Sequence, residues 1–143
     1  MKRNWYKVRV KYSITVDGLS KKVTGEFLVD ALSFTETEKR MLKSSSELLD
    51  TRDIDITAIA IETVTDIIDD HNEDGKWYKA IVPLMTEDAS GKIKATPQTI
   101  YVNAEDTKDA DTKVRDHMSD SLTDWEIKSI TETKVRSVLY YEK

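Results

Sequence analysis

From residue 5 to residue 16 apolar and polar side chains alternate without a break. Tyr6, Val8, Val10, Tyr12, Ile14 and Val16 fall on one side, and Trp5, Lys7, Arg9, Lys11, Ser13 and Thr15 on the other. A period of two over this length predicts a β-strand with one buried and one solvated face. Asp17-Gly18 follows, a pair suited to the positive φ angles of a tight hairpin. Residues 21–31 alternate again, Val23, Phe27 and Val29 opposing Lys22, Thr24, Glu26, Leu28 and Asp30, so two paired strands are expected. Ser33-Phe34-Thr35-Glu36 is a capping box: the serine can accept a backbone N–H while the glutamate reaches back. Phe34, Met41, Leu42, Ser45, Leu48 and Leu49 then recur at helical spacing, which predicts a helix ending around Leu49 and Asp50, with Glu36, Lys39, Arg40 and Lys43 in water. Ile54, Ile56, Ala58 and Ala60 open a third strand rich in β-branched residues. Apolar positions continue through Ile61, Val64, Ile67 and Ile68 with a change of phase, which calls for a bulge near residues 59–61.

After a polar, acidic stretch at 66–75 the plan restarts. Trp77-Tyr78-Lys79 repeats Trp5-Tyr6-Lys7 at an offset of 72, and Ala80, Val82 and Leu84 continue the match. Ser90-Gly91 supplies a turn, and Ile100-Tyr101-Val102-Asn103-Ala104 answers Phe27-Leu28-Val29-Asp30-Ala31 at offset 73. Asp106 or Thr107 can cap a second helix along which Ala110, Val114, Met118 and Leu122 recur every fourth residue. A last strand from Trp125 carries Ile127, Ile130, Val135 and Val138, which match Ile56, Ile59, Val64 and Ile67 at offset 71. The expected fold is α+β, a single domain of two tandem β-β-α-β repeats, 1–68 and 77–143, joined by an acidic connector at 69–76. The repeats are expected to be related by a pseudo-twofold axis, with antiparallel sheet or sheets and two helices. One continuous six-stranded sheet and two small sheets packed through their helices both satisfy the pattern.

Composition narrows the function classes. The 143 residues are 38% hydrophobic and 34% charged, enough apolar material for a folded core without disulfides or metals. With no cysteine, thiolate nucleophiles, thiolate zinc sites and disulfides are excluded. No apolar run approaches the roughly 20 residues of a membrane span, and Met1-Lys2-Arg3 leads into a strand rather than a signal-peptide core, so a cytoplasmic protein without membrane contact is expected. The net charge of −5 conceals a polarity: residues 1–43 hold ten cations against five carboxylates, leaving −10 for the rest. Such asymmetry marks either a face for a polyanion or an unevenly charged solvated surface.

The chain also resembles a family known as domain of unknown function 4494, found in gut bacteria and their tailed phages. The resemblance spans nearly the full length and rests on Trp5-Tyr6, Lys22-Val23-Thr24, Leu28-Val29-Asp30-Ala31, Ser33-Phe34-Thr35-Glu36 and Trp77-Tyr78-Lys79. It implies a short protein with this repeated pattern and, through the phage or mobile-element setting, a background of DNA metabolism. It supplies no activity and no catalytic residues.

Candidate chemistry is sparse. The stripe Trp5, Lys7, Arg9, Lys11 offers a ring for base stacking beside three cations, and Lys21 and Lys22 extend it across the hairpin. The second half keeps only Trp77 and Lys79, since Ile81 and Pro83 replace the arginine and lysine. Proline at 83 also suggests a sheet edge or bulge. The ordinary alternative is that both tryptophans are covered and the cations are solvated strand residues. Counted from Asp70, the side chains of Asp70, Asn72 and Asp74 with Gly75 fit the first half of a calcium loop, but the twelfth position is Ile81, where a glutamate is required. His71 and His117 have no partner at metal spacing, the four glycines form no phosphate loop, and carboxylates such as Glu105, Asp106, Asp109 and Asp111 suit a helix N-terminus.

The expectation is a non-catalytic binding protein with no cofactor and no metal. The expected ligand is single-stranded DNA or RNA, held through Trp5, Lys7, Arg9, Lys11, Lys21, Lys22, Trp77 and Lys79. The alternative is a protein-interaction or self-assembly subunit acting through exposed strand edges, as a homo-oligomer or with another protein. A small-ligand pocket between the halves is a third expectation.

Overall fold

The computed structural model describes residues 2–49, 51 and 53–141. Its elements run β1 (Asn4–Val16), β2 (Leu19–Ala31), α1 (Phe34–Leu49), β3 (Ile54–Glu62), β4 (Asp66–Ile68), β5 (Lys76–Glu87), β6 (Ile93–Ala104), α2 (Thr107–Met118), β7 (Asp124–Trp125), β8 (Ser129–Glu132) and β9 (Val135–Leu139). Strand-strand-helix-strand order occurs twice, and the protein is α+β. The chain forms two compact units, one of Met1–Glu62 with Lys134–Lys143, the other of Thr63–Thr133. Each unit has its own sheet, β3-β1-β2-β9 in the first and β4-β6-β5 in the second with β7 and β8 both beside β5, so there is no single six-stranded sheet.

The sheets are mixed rather than antiparallel throughout, because β9 runs parallel to β2 and β4 runs parallel to β6. Residues 54–68, expected as one strand, divide into β3, which stays with β1, and β4, which joins the second unit. The last stretch divides likewise: β7 and β8 pair with β5, while β9 returns to β2. The closing piece of each repeat therefore completes the sheet begun by the other. Alternation alone cannot report this, since a strand shows the same period whichever sheet receives it. The chain passes between units after Glu62 and after Thr133, and the acidic residues 69–75 lie inside the second unit rather than at a seam.

In the first unit the hairpin forms as its sequence predicts. Val16 pairs with Leu19 across Asp17 and Gly18, whose φ angles of 51° and 78° suit a two-residue turn. Tyr6, Val8, Val10 and Tyr12 pack with Phe27, Val29, Met41 and Leu139 in one core. Leu28 and Glu26, assigned to water by the alternation, are both buried, as is Val135 beside Glu26. On β3 the register shifts so that Arg9 faces Ala58 and Val10 faces Ile56, leaving Thr57 as the extra residue. The bulge thus precedes the expected 59–61, and its effect is clear. Ile54 and Ile56 are separated from Ile59 and Ile61 by an odd number of positions, and one inserted residue brings all four to the side of Tyr12, Val10, Val8 and Tyr6.

The capping box of α1 is in place: Ser33 Oγ accepts from Glu36 N at 3.1 Å, and Glu36 Oε1 accepts from Leu32 N at 3.1 Å. The buried face differs from the apolar stripe in the sequence. Thr37, Met41 and Ser45 are buried, while Phe34, Leu42 and Leu48 are exposed. Two hydroxyl residues can face the core because each satisfies itself locally, Thr37 Oγ1 donating to Ser33 O at 2.7 Å and Ser45 Oγ to Leu42 O at 2.9 Å. Of the expected end, Leu49 closes α1 and Asp50 lies outside the described residues.

In the second unit Asp106 caps α2 by accepting from Asp109 N at 2.8 Å, and Ala110, Val114 and Met118 are buried against Tyr78, Ala80, Val82, Ile100 and Val102. The helix ends at Met118, so Leu122 leaves the predicted stripe and is fully exposed. The turn between β5 and β6 spans 88–92 around Asp88. Its carboxylate accepts from Ser90 Oγ at 2.6 Å and from Ser90 N and Lys92 N at 2.9 Å, contacts that hold it below the ordinary aspartate value. Pro83 faces Pro97 on the pair β5–β6. On the other side of β5, β8 pairs with Tyr78–Ile81 and β7 with Leu84–Met85, so the register skips Val82 and Pro83. A proline has no N–H to give a third strand, and the third strand breaks there.

Candidate functional site

The basic stripe is largely charge-balanced within its own unit. Lys7 Nζ pairs with Glu62 at 3.0 Å, Arg9 with Glu26 at 3.3 Å, and Arg3 with Asp30 at 3.6 Å. Trp5 is half-buried, with Tyr140 edge-on at 6.0 Å and with Asp30 and Glu62 flanking it in register. Lys11 and Lys22 are exposed on one side of the hairpin, whereas Lys21 pairs with Ile14 and so lies on the other. Trp77 and Lys79 belong to the second unit. Trp77 is 6% exposed, its carbonyl accepting from Thr133 N at 2.9 Å and Thr133 Oγ1 at 2.8 Å, so its ring is not open to a stacked base. Lys79 is half-buried. The eight residues read as one face in the sequence therefore divide between two units and between two sides of a ribbon.

The acidic residues 69–75 form a turn held from within. Asn103, itself buried, accepts from Asn72 N at 2.8 Å and donates through Nδ2 to Asn72 O and Lys76 O, both at 3.3 Å. Asp70 is ion-paired to Lys113. His117 Nε2 lies 2.8 Å from Asp66 Oδ2, tying α2 to β4. Among the described residues no group of three or more His, Asp or Glu is placed to hold a metal ion.

A different surface emerges on β3, at the edge of the first sheet with only β1 beside it. Its nine residues, Ile-Asp-Ile-Thr-Ala-Ile-Ala-Ile-Glu, include no lysine, arginine or proline, the residues that commonly blunt an edge. The corresponding strand of the second unit is broken into β7 and β8, of two and four residues, opposite Pro83. Other edges are short as well: β9 has five residues and β4 three. Along β3, a groove of about 350 Å³ is lined by Glu38 and Leu42 of α1 and by Ile56, Thr57, Ala58 and Ile59. Leu42 is 44% exposed and Ile61 57%. Phe34, 49% exposed, stacks edge-on at 5.0 Å against Tyr6, the residue paired with Ile61. Phe34, Glu38 and Leu42 share one helical stripe at i, i+4 and i+8, so this stripe of α1 reads apolar, acidic, apolar, with Glu38 and Leu42 lining the groove itself. Sequence reasoning missed this surface because it assigned Phe34 and Leu42 to the core. The signal was present in the absence of lysine, arginine and proline between Ile54 and Glu62.

Fold and site together define an α+β protein of two sheet-and-helix units, one of which presents a nine-residue strand edge beside a helix. A family model described as Domain of unknown function (DUF4494) matches residues 4–141, and the chain belongs to that family. No curated protein matches it. Among the described residues no helix is long and apolar enough to cross a membrane.

Proposed function

We propose that this chain is a non-catalytic protein-binding module that takes up an extended segment of another chain on the free side of β3. The observation that carries the reading is the contrast between the two units. The first leaves a nine-residue, β-branched edge open, while the second breaks the equivalent strand at Pro83. An edge of this length supplies main-chain hydrogen bonds to an incoming strand, and the neighbouring groove supplies side-chain selection. Charge supports it too, since Glu62 and Glu26 already occupy Lys7 and Arg9 on the face that a nucleic acid would use.

The test is selection of random short peptides displayed against the intact protein, followed by amide hydrogen exchange with the selected sequences. Slowed exchange confined to residues 54–62 is the expected result; no enrichment, or protection elsewhere, overturns it. A competing outcome is saturable, salt-sensitive quenching of tryptophan fluorescence by a single-stranded oligonucleotide. That would move the function to Trp5, Lys11 and Lys22.

A further inference from the structure

Resting on that reading of β3, we infer that the bound segment is an extended strand with a basic side chain midway between two apolar ones, of the form apolar-x-Lys/Arg-x-apolar. The inference comes from matching two repeats. Phe34 and Leu42 are eight helical residues apart, about 12 Å along the axis at 1.5 Å per residue. In an added strand, side chains at i and i+4 point to the same face and lie about 13 Å apart. An apolar residue at i can therefore sit by Phe34 and Ile61 while the one at i+4 sits by Leu42, Ile56 and Ile59. The residue at i+2 then arrives opposite Glu38, the one charged side chain lining the groove.

Glu38 is exposed and forms no ion pair among the described residues, and no basic side chain lines the groove with it. The groove therefore favours a cation at the centre and disfavours an acidic segment. The same argument weighs against a second copy of this chain pairing through its own β3, because that strand has no basic residue to set opposite Glu38. The pattern apolar-x-basic-x-apolar is palindromic, so it fits whichever way the incoming strand runs.

Three synthetic peptides test the inference on the intact protein. Each has isoleucines four positions apart in a threonine-rich strand, with lysine, glutamine or glutamate midway. Affinity is measured by calorimetry, and the site by hydrogen exchange of residues 54–62. The lysine peptide is expected to bind about fivefold tighter than the glutamine peptide, the upper range for an exposed ion pair, with glutamate weakest. Glu38→Gln should erase the ranking, and Leu42→Ala should weaken all three alike. Equal binding of the three at β3, unaffected by Glu38→Gln, would sink the choice of a basic segment while leaving strand addition intact. No protection at 54–62 with any peptide removes both. Protection that grows with protein concentration and needs no peptide would assign the edge to a second copy, against the inference.

Discussion

Asp109 serves two partners at the start of α2. Its carboxylate accepts from Glu105 N at 3.0 Å and pairs with Lys113 at 3.1 Å, and these contacts, the backbone hydrogen bond foremost, hold its pKa below the ordinary 3.8. Lys113 is partly withdrawn from water, which opposes its charge, yet Asp70 and Asp109 together hold it above the ordinary 10.5. The signs are opposite. The stability that Asp109 contributes is fully present above pH 3.8 and is lost as pH falls through its lowered value, while that of Lys113 is present below pH 10.5 and lost as pH rises beyond it. Asp109→Asn should therefore be less stable than the parent at neutral pH, with the deficit shrinking as pH falls below 3.8, read from urea midpoints. A deficit that persists unchanged in acid would mean that geometry rather than ionisation matters there. At this scale the sequence was only partly legible. Trp5 and Trp77 open identical tripeptides, but only Trp77 has a Thr133 closing over its carbonyl, and that threonine lies 56 residues away. Likewise Lys7 and Arg9 read as a free cationic stripe until Glu62 and Glu26 are brought beside them by strand pairing.

Among the elements, β3 shows how one residue sets a face. Without Thr57, either Ile54 and Ile56 or Ile59 and Ile61 would turn away from Met41 and the core tyrosines. Deleting Thr57 should cost about 3 kcal/mol, the burial of two partly covered isoleucines, measured by urea unfolding. A loss below about 1 kcal/mol would indicate that the bulge can move to another position. The need for a phase change was readable from the odd spacing of the isoleucines, but its position was not, because Ala58 and Ala60 fit either face. The helices were readable in their starts, where Ser33, Glu36 and Asp106 state their roles in the sequence. Their buried faces were harder to read. Hydrophobicity favoured Leu42 and Leu48, whereas the sheet takes Thr37 and Ser45, whose hydroxyls bond to their own helix.

At the scale of the molecule, the duplication was visible as matched offsets, and the α+β class followed from it. The exchange of closing strands was invisible, since no local property of residues 135–139 distinguishes pairing with β2 from continuing along β5. The exchange makes a firm expectation about truncation. Ending the chain after Thr133 removes β9 and with it the buried Val135 and Leu139, a loss of about 3–6 kcal/mol from apolar burial alone. Thermal unfolding should fall by about 10 °C or more. A truncated protein that melts with the parent would show that β9 adds nothing to the first sheet.

The same strand sets an order for events on the ribosome. Val135 pairs with Glu26, 109 residues earlier in the chain, so the first unit to be made is the last to be finished. At about 5–20 residues per second, β2 waits about 5–20 s with its flank unmatched after it has been synthesised. The second unit spans one uninterrupted stretch, Thr63–Thr133, and has all its strands before β9 exists. Translation thus runs ahead of the N-terminal sheet, and every residue of the second unit has been joined to the chain while the first still lacks its closing strand.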